Sequence, residues 1–109
     1  MTWKIEFLEE AKKDLLRLNH STQIQVLKGI SKVAQNPLPV SEGGYGKPLG
    51  NKGKTKLTNL LKIKFKDLGI RVVYKIKRTE TEMLIIIIAA RADDKVYLDA
   101  AKRKDKHGL

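Results

Sequence analysis

Five side chains in the second half of the chain could do chemistry together, four of them cationic and one a phenol. Lys62 and Lys64 are two residues apart, Arg71 follows seven residues after Lys64, and Arg91 and Tyr97 are six residues apart. Cations and an aromatic ring suit RNA cleavage without a metal. In that reaction the 2′-hydroxyl attacks the neighbouring phosphate, cations stabilise the developing charge, and a ring can stack on a base.

Each of these residues also has a simpler interpretation. Arg91 could form a salt bridge with Asp93, Asp94 or Glu42, and a lone tyrosine is more often a core or surface residue. Lysines on an exposed strand commonly block unwanted pairing with other sheets. That explanation suits one or two lysines, and it suits less well a hairpin whose outer face is basic throughout.

The net charge of +11 is concentrated in the middle of the chain. Residues 47–78 carry eleven basic side chains and one acidic side chain, whereas residues 1–46 carry six and five, and residues 79–109 carry six of each. A localised positive charge indicates a polyanionic partner, with nucleic acid first and an acidic protein as a compatible alternative. Six further lysines of this region are expected to bind RNA: Lys52, Lys54, Lys56, Lys66, Lys75 and Lys77.

Several classes of protein are disfavoured by what the sequence lacks. It has no cysteine, and neither His20 nor His107 belongs to a metal-ligand spacing, so no metal or cofactor is expected. The glycine-rich segment 50–54 lacks the spacing of a nucleotide-binding loop. The apolar run 83–90 is far shorter than the ~20 residues of a membrane helix. With no signal peptide evident at the N-terminus, the sequence predicts a cytoplasmic protein without membrane contact.

The elements that would position these residues follow from hydrophobic periodicity. Residues 60–78 alternate with period two and predict a β-hairpin with one apolar and one cationic face. A strand over 3–7, two helices with the second beginning near Thr22, a strand reaching Ala90 and a last helix complete the chain. The sequence therefore predicts a single α+β domain over 1–109. Its sheet is mainly antiparallel with four to five strands, an N-terminal helix pair packs on one face, and the C-terminal helix is short.

The segments 61–65 (LKIKF) and 69–74 (GIRVVY), together with Arg91 and Tyr97, resemble the RelE branch of the RelE/ParE toxins. Those proteins are the toxin halves of bacterial toxin–antitoxin pairs. The resemblance covers nearly the whole chain, and it implies that Lys62, Lys64, Arg71, Arg91 and Tyr97 are catalytic. Two features depart from the family pattern: the glycine-rich loop 41–56 looks longer than in compact members, and the glutamate–histidine pair of the YoeB-like branch is absent.

The resemblance implies a function as well as a fold. RelE-type toxins are metal-independent endoribonucleases that cut mRNA in the ribosomal A site, and a cognate acidic antitoxin neutralises them. The alternative is a ParE-like inhibitor of DNA gyrase, which shares the fold but generally lacks the set of lysine pair, arginines and tyrosine. A third possibility is a toxin fold reduced to binding RNA or an antitoxin.

Overall fold

A computed structural model describes residues 2–49, 60–90 and 95–109 of this protein. Its helices and strands, in chain order, are β1 (Lys4–Phe7), α1 (Glu9–Leu16), α2 (His20–Val33), β2 (Lys47–Pro48), β3 (Leu60–Phe65), β4 (Ile70–Lys77), β5 (Glu82–Ala90) and α3 (Lys95–Lys106). Short 3₁₀ turns at Lys66–Leu68 and Arg78–Glu80 connect β3 to β4 and β4 to β5.

The five strands form one mixed sheet in the order β1-β5-β4-β3-β2. The pairs β2–β3, β3–β4 and β4–β5 are antiparallel, as expected for strands joined by short turns, while β1 joins β5 in parallel at the edge. The predicted fold class, a mainly antiparallel α+β sheet with a helix pair and a C-terminal helix, is confirmed.

The helix pair covers the apolar face of the hairpin. Val26 and Ile30 of α2 are fully buried in one cluster with Val72 and Tyr74 of β4 and Ile85 of β5. This arrangement follows from the sequence, because alternate residues of a strand point to the same face and the helix stripe has matching apolar residues.

Helix α3 packs on the opposite face of the sheet. This face is less uniformly basic than the alternation of residues 60–78 predicted. Leu60 and Val73 lie on this face beside the lysines, and both are buried under Val96 and Ala100 of α3. Helix α3 therefore covers the apolar half of this face. The cationic side chains near the β3–β4 turn lie beyond the first turn of α3.

Helix α2 begins earlier than the expected capping box at Thr22. Asn19 is the N-cap, and its side chain accepts a hydrogen bond from the Thr22 backbone N–H at 2.9 Å. Asparagine is among the best capping residues because its carbonyl reaches the unpaired amides of the first turn. His20 is the first residue of α2.

Candidate functional site

The hairpin brings three of the expected cations onto one face. In the register of β3 and β4, Lys64 lies directly opposite Arg71, and Lys62 lies opposite Val73. Residues opposite each other in an antiparallel pair project from the same side of the sheet. Lys62, Lys64 and Arg71 therefore share the face that α3 covers in part, which confirms the alternation argument for these three positions.

Tyr97 joins this group from the first turn of α3. Arg71 Nη1 donates a hydrogen bond to the Tyr97 hydroxyl at 2.5 Å, and the guanidinium carbon lies 5.4 Å from the ring centroid. Lys62 Nζ lies 5.7 Å from the same centroid. Both cations are thus in cation–π range of one ring. We call Lys62, Lys64, Arg71 and Tyr97 the cationic cluster.

The burial of Tyr97 bears on the base-stacking role expected for it. The residue is only 1% exposed, and it packs with Val96 and Ala100 in the core beneath α3. Stacking on a base requires an open ring face, so that role would need α3 or the two cations to move. In the present arrangement the hydroxyl supports the Arg71 guanidinium and the ring lies against Lys62.

Lys64 is the exposed member of the cluster, and its pKa is lowered below the ordinary lysine value. Repulsion from Lys62 is the largest cause, followed by partial desolvation and then by repulsion from Arg71 and Lys47. Neighbouring cations disfavour the protonated ammonium. A larger fraction of Lys64 is therefore neutral near physiological pH than for an isolated lysine, which is the form that accepts a proton.

Lys47 lies next to the cationic cluster, and the sequence analysis did not single it out. It lies on β2 directly opposite Lys62 of β3, and it is one of the cations that lower the pKa of Lys64. The only sequence signal for it was its place in the basic segment 47–78. Its contribution depends on the pairing of β2 with β3, which is just two residues long.

A cleft of about 430 Å³ lies beside the cluster at the β3–β4 turn; we call it the hairpin cleft. It is lined by Lys64, Phe65, Lys66, Gly69, Ile70 and Arg71. Three of these six residues are cationic, so the cleft suits an anionic group such as a phosphate. Lys66, expected to bind RNA, is exposed at its rim.

Two other lysines expected to bind RNA lie toward the far end of β4. Lys75 Nζ donates to the Leu109 carbonyl oxygen at 2.9 Å, and Lys77 forms an ion pair with Glu82 at 3.5 Å. Their contacts are with the C-terminus and an acidic strand residue. The structure does not bring these two lysines to the cationic cluster.

Several sequence predictions fall outside the described residues or away from the cluster. Arg91 and the lysines at 52, 54 and 56 lie outside the described residues. Glu42, one of the salt-bridge partners considered for Arg91, forms an ion pair with Arg78 at 2.6 Å. His107 bonds to Glu10 of α1 at 3.0 Å. That contact joins the residue that follows α3 to α1.

The described residues contain no group of three or more histidine, cysteine, aspartate or glutamate side chains arranged to hold a metal ion. Within the same parts of the chain, no helix combines the length and the apolar character needed to cross a membrane.

Residues 5–95 match the family model described as the ParE toxin of the type II toxin–antitoxin system parDE. The chain belongs to the RelE/ParE superfamily of type II toxins. None of the curated proteins matches it in sequence. The family model thus identifies the toxin's class, and the choice between the RelE and ParE branches depends on the site.

Solved structures show the same fold for this toxin. A mutant of the E. coli toxin RelE in the free state aligns with a TM-score of 0.71 and 22% identity, covering 94% of this chain and 98% of that one. The toxin–antitoxin complex RelBE from Mycobacterium tuberculosis aligns with a TM-score of 0.66 and 23% identity, covering 85% and 95%. The intact E. coli RelBE complex gives 0.63 and 22%, covering 84% and 98%.

Proposed function

We propose that this toxin is a metal-independent endoribonuclease that cuts mRNA in the ribosomal A site. The observation that carries the proposal is the cationic cluster. Lys62 and Arg71 lie against the Tyr97 ring, Lys64 and Arg71 line the hairpin cleft beside it, and repulsion from Lys62 and Arg71 lowers the pKa of Lys64. A perturbed titratable group with specific charged neighbours at a cleft is a recognised sign of a functional site.

The reaction that fits this set is an internal transesterification. Neutral Lys64 removes the proton of the 2′-hydroxyl, and the 2′-oxygen attacks the adjacent phosphorus. The bond from phosphorus to the 5′-oxygen breaks, and that oxygen takes a proton as it leaves. The products are a 2′,3′-cyclic phosphate and a 5′-hydroxyl, and the extra charge of the transition state is stabilised by nearby cations.

Arg71 is suited to hold the scissile phosphate, because a guanidinium offers paired donors that match phosphate oxygens. Its hydrogen bond to Tyr97 fixes the orientation of that fork. We therefore assign Tyr97 a positioning role through Arg71. Arg91 is assigned to the same phosphate, and to the leaving oxygen, from its place in the sequence alone.

Dependence on the ribosome has a physical basis in this set of residues. Lysine, arginine and tyrosine are ordinarily protonated near pH 7, and only a perturbed lysine or tyrosine can act as a base. Because proton transfer is inefficient, much of the rate acceleration has to come from positioning the RNA. Effective molarities of ~10⁵ M or more are available when reacting groups are aligned. A ribosome that holds a kinked codon supplies this alignment.

The partner that neutralises the toxin is proposed to be an acidic antitoxin. The fold matches include toxin–antitoxin complexes from E. coli and Mycobacterium tuberculosis, which supports a protein partner of this kind. The positive charge of segment 47–78 favours an acidic partner segment.

The test compares cleavage of the same mRNA when it is bound to ribosomes and when it is free. Purified toxin should cut mRNA programmed into ribosomes with an empty A site, and it should leave the same naked mRNA largely uncut, as read by primer extension. Lys64→Ala should lower the cleavage rate by about 10²–10³-fold, the usual cost of losing a transition-state contact. Circular dichroism establishes that the variant is folded.

Each other outcome has a definite meaning. Equal cleavage of naked and ribosome-bound mRNA would refute ribosome dependence and leave a nuclease. A folded Lys64→Ala toxin with full activity would refute the cluster as the catalytic site. Inhibition of DNA gyrase with neither message cut would identify the ParE-like alternative, which the cationic cluster does not favour.

A further inference from the structure

A second cleft lies on the other side of the β3–β4 turn, toward α2; we call it the helix-side cleft. Its volume is about 390 Å³. It is lined by Gln25, Lys28, Lys64, Phe65, Lys66, Asp67 and Leu68. Lys64, Phe65 and Lys66 also line the hairpin cleft, so the two clefts share a wall and Lys64 borders both.

The close approach of α2 to the turn depends on a glycine. A Cβ placed on Gly29 would lie 2.3 Å from Cε1 of Phe65, which is far inside a normal contact. Because Gly29 has no side chain, the Phe65 ring packs directly against the helix. This contact places Lys28, the preceding residue of α2, at the same cleft as Lys64 and Lys66.

The helix-side cleft is predominantly cationic. Of the described residues that line it, Lys28, Lys64 and Lys66 are basic and Asp67 is acidic. Lys28 and Lys66 are exposed, so their ammonium groups are available to a ligand in solution. The nominal charge of the lining is therefore positive, as in the neighbouring hairpin cleft.

We propose that the helix-side cleft is a second phosphate subsite for single-stranded RNA, with Lys28 and Lys66 as its cations. This inference rests on the proposed function, because it takes the hairpin cleft as the place of the scissile phosphate. An RNA strand that binds one phosphate between Lys64 and Arg71 in the hairpin cleft continues past the wall that the two clefts share. Its next phosphate then meets Lys66 and Lys28.

The continuity of the two clefts favours RNA over an acidic peptide as the ligand. Phosphates recur along a strand at every nucleotide, so two adjoining cationic clefts match two successive phosphates. Phe65, which lines both clefts, and Leu68, which lines the helix-side cleft, supply apolar surface that can contact the sugar and base of the intervening nucleotide. An acidic peptide is the competing ligand that the experiment includes.

The experiment measures binding of labelled RNAs by fluorescence anisotropy, using 2′-O-methyl strands that cannot be cut. A dinucleotide carries one internal phosphate, whereas a hexanucleotide extends past the shared wall. Lys28→Ala is compared with Lys13→Ala, which removes the same charge from an exposed position on α1. An oligo-glutamate peptide serves as the acidic-peptide probe.

We expect Lys28→Ala to weaken hexanucleotide binding about two- to fivefold, as for a single exposed ionic contact, and to weaken dinucleotide binding less. The slope of log affinity against log salt for the hexanucleotide should fall in magnitude by about 0.7, the value for one phosphate contact to a single strand. Lys13→Ala should show neither change.

Two results would overturn the subsite. In the first, Lys28→Ala and Lys13→Ala have equal effects on the hexanucleotide, which would reduce Lys28 to bulk electrostatics. In the second, Lys28→Ala weakens the oligo-glutamate peptide and leaves the hexanucleotide unchanged, which would assign the cleft to a protein. A length-dependent effect of Lys28→Ala in a toxin that cuts no RNA would support the subsite and refute the nuclease.

Discussion

At the residue scale, two buried tyrosines offer a matched comparison. Tyr97 accepts a hydrogen bond from Arg71 on the α3 face, and Tyr74 donates one to the Pro37 carbonyl oxygen at 2.7 Å on the helix-pair face. Both rings are almost fully buried. Removing either hydroxyl deletes the hydrogen bond named above without emptying the core, so the two variants separate a role in catalysis from a role in stability.

We predict that Tyr97→Phe slows cleavage by about tenfold or more, because a hydrogen bond to a charged group contributes ~1.5–3 kcal/mol. The loss should fall on the rate and less on substrate affinity, since the hydroxyl orients Arg71. Tyr74→Phe should cost about 1 kcal/mol in the free energy of unfolding and leave the cleavage rate unchanged. Single-turnover cleavage and urea unfolding of both variants provide the measurements. Equal cleavage by wild type and Tyr97→Phe would contradict the positioning role.

Lys64 gives a prediction in pH. Repulsion from Lys62 is the largest cause of its lowered pKa, so Lys62→Met should raise that pKa toward the ordinary lysine value. The cleavage rate rises with pH as the base loses its proton, and the midpoint of this rise should therefore move to higher pH in the variant. Single-turnover rates across the alkaline range test this. An unchanged midpoint would show that Lys64 is not the base.

At the element scale, the contacts that hold α3 against the sheet also hold Tyr97 in the cationic cluster. Arg103 of α3 forms an ion pair with Asp14 of α1 at 2.6 Å and donates to the Ile86 carbonyl oxygen at 3.0 Å. Asp14 also accepts from the Ile88 backbone N–H at 3.1 Å. Arg103 and Asp14 thus bind backbone groups of β5 at Ile86 and Ile88. These groups lie beyond the part of β5 that pairs with β1, which ends at Ile85 in the described sheet.

We predict that Arg103→Met destabilises the toxin by ~3–5 kcal/mol, because it leaves the buried Asp14 carboxylate without its cation. Lys102→Met, the neighbouring exposed position, should change the free energy of unfolding by less than about 0.5 kcal/mol. Urea unfolding compares the two. A similar, small change in both would mean that the ion pair does not hold α3.

At the scale of the whole molecule, charge is unevenly distributed over the sheet. The β3–β4 turn gathers Lys64, Lys66 and Arg71, while at the other end of β4 the ion pairs Arg78–Glu42 and Lys77–Glu82 balance the charges. An uncovered cationic face binds RNA indiscriminately, since phosphate contacts carry no sequence information. We therefore expect an acidic partner to bind at the β3–β4 end of the molecule.

We predict that the antitoxin covers the basic hairpin or displaces α3, through an acidic segment that is disordered alone and folds on binding. Hydrogen exchange on the complex should show new protection within 62–77 or 93–104. The free toxin provides the reference, and α1 and α2 provide the internal control. Protection confined to those two helices would contradict the prediction.

The sequence by itself determined the hairpin, its two faces and the location of the charge. Period-two alternation is a local property, because successive side chains of a strand must point to opposite sides. Lys62, Lys64 and Arg71 therefore had to share one face, and Leu61 and Val72 the other. The short turns at Lys66–Leu68 and Arg78–Glu80 likewise made antiparallel neighbours of three strands.

Only the tertiary structure decided what covers the cationic face. The docking of α3 buries Tyr97 under Lys62 and Arg71, and the pairing of β2 with β3 brings Lys47 opposite Lys62. Both depend on contacts between residues far apart in the chain, which leave no periodic mark in the sequence. The burial of Tyr97 and the place of Lys28 beside the helix-side cleft follow from packing, since a ring's burial and a glycine's close contact are set by the partners that the fold supplies.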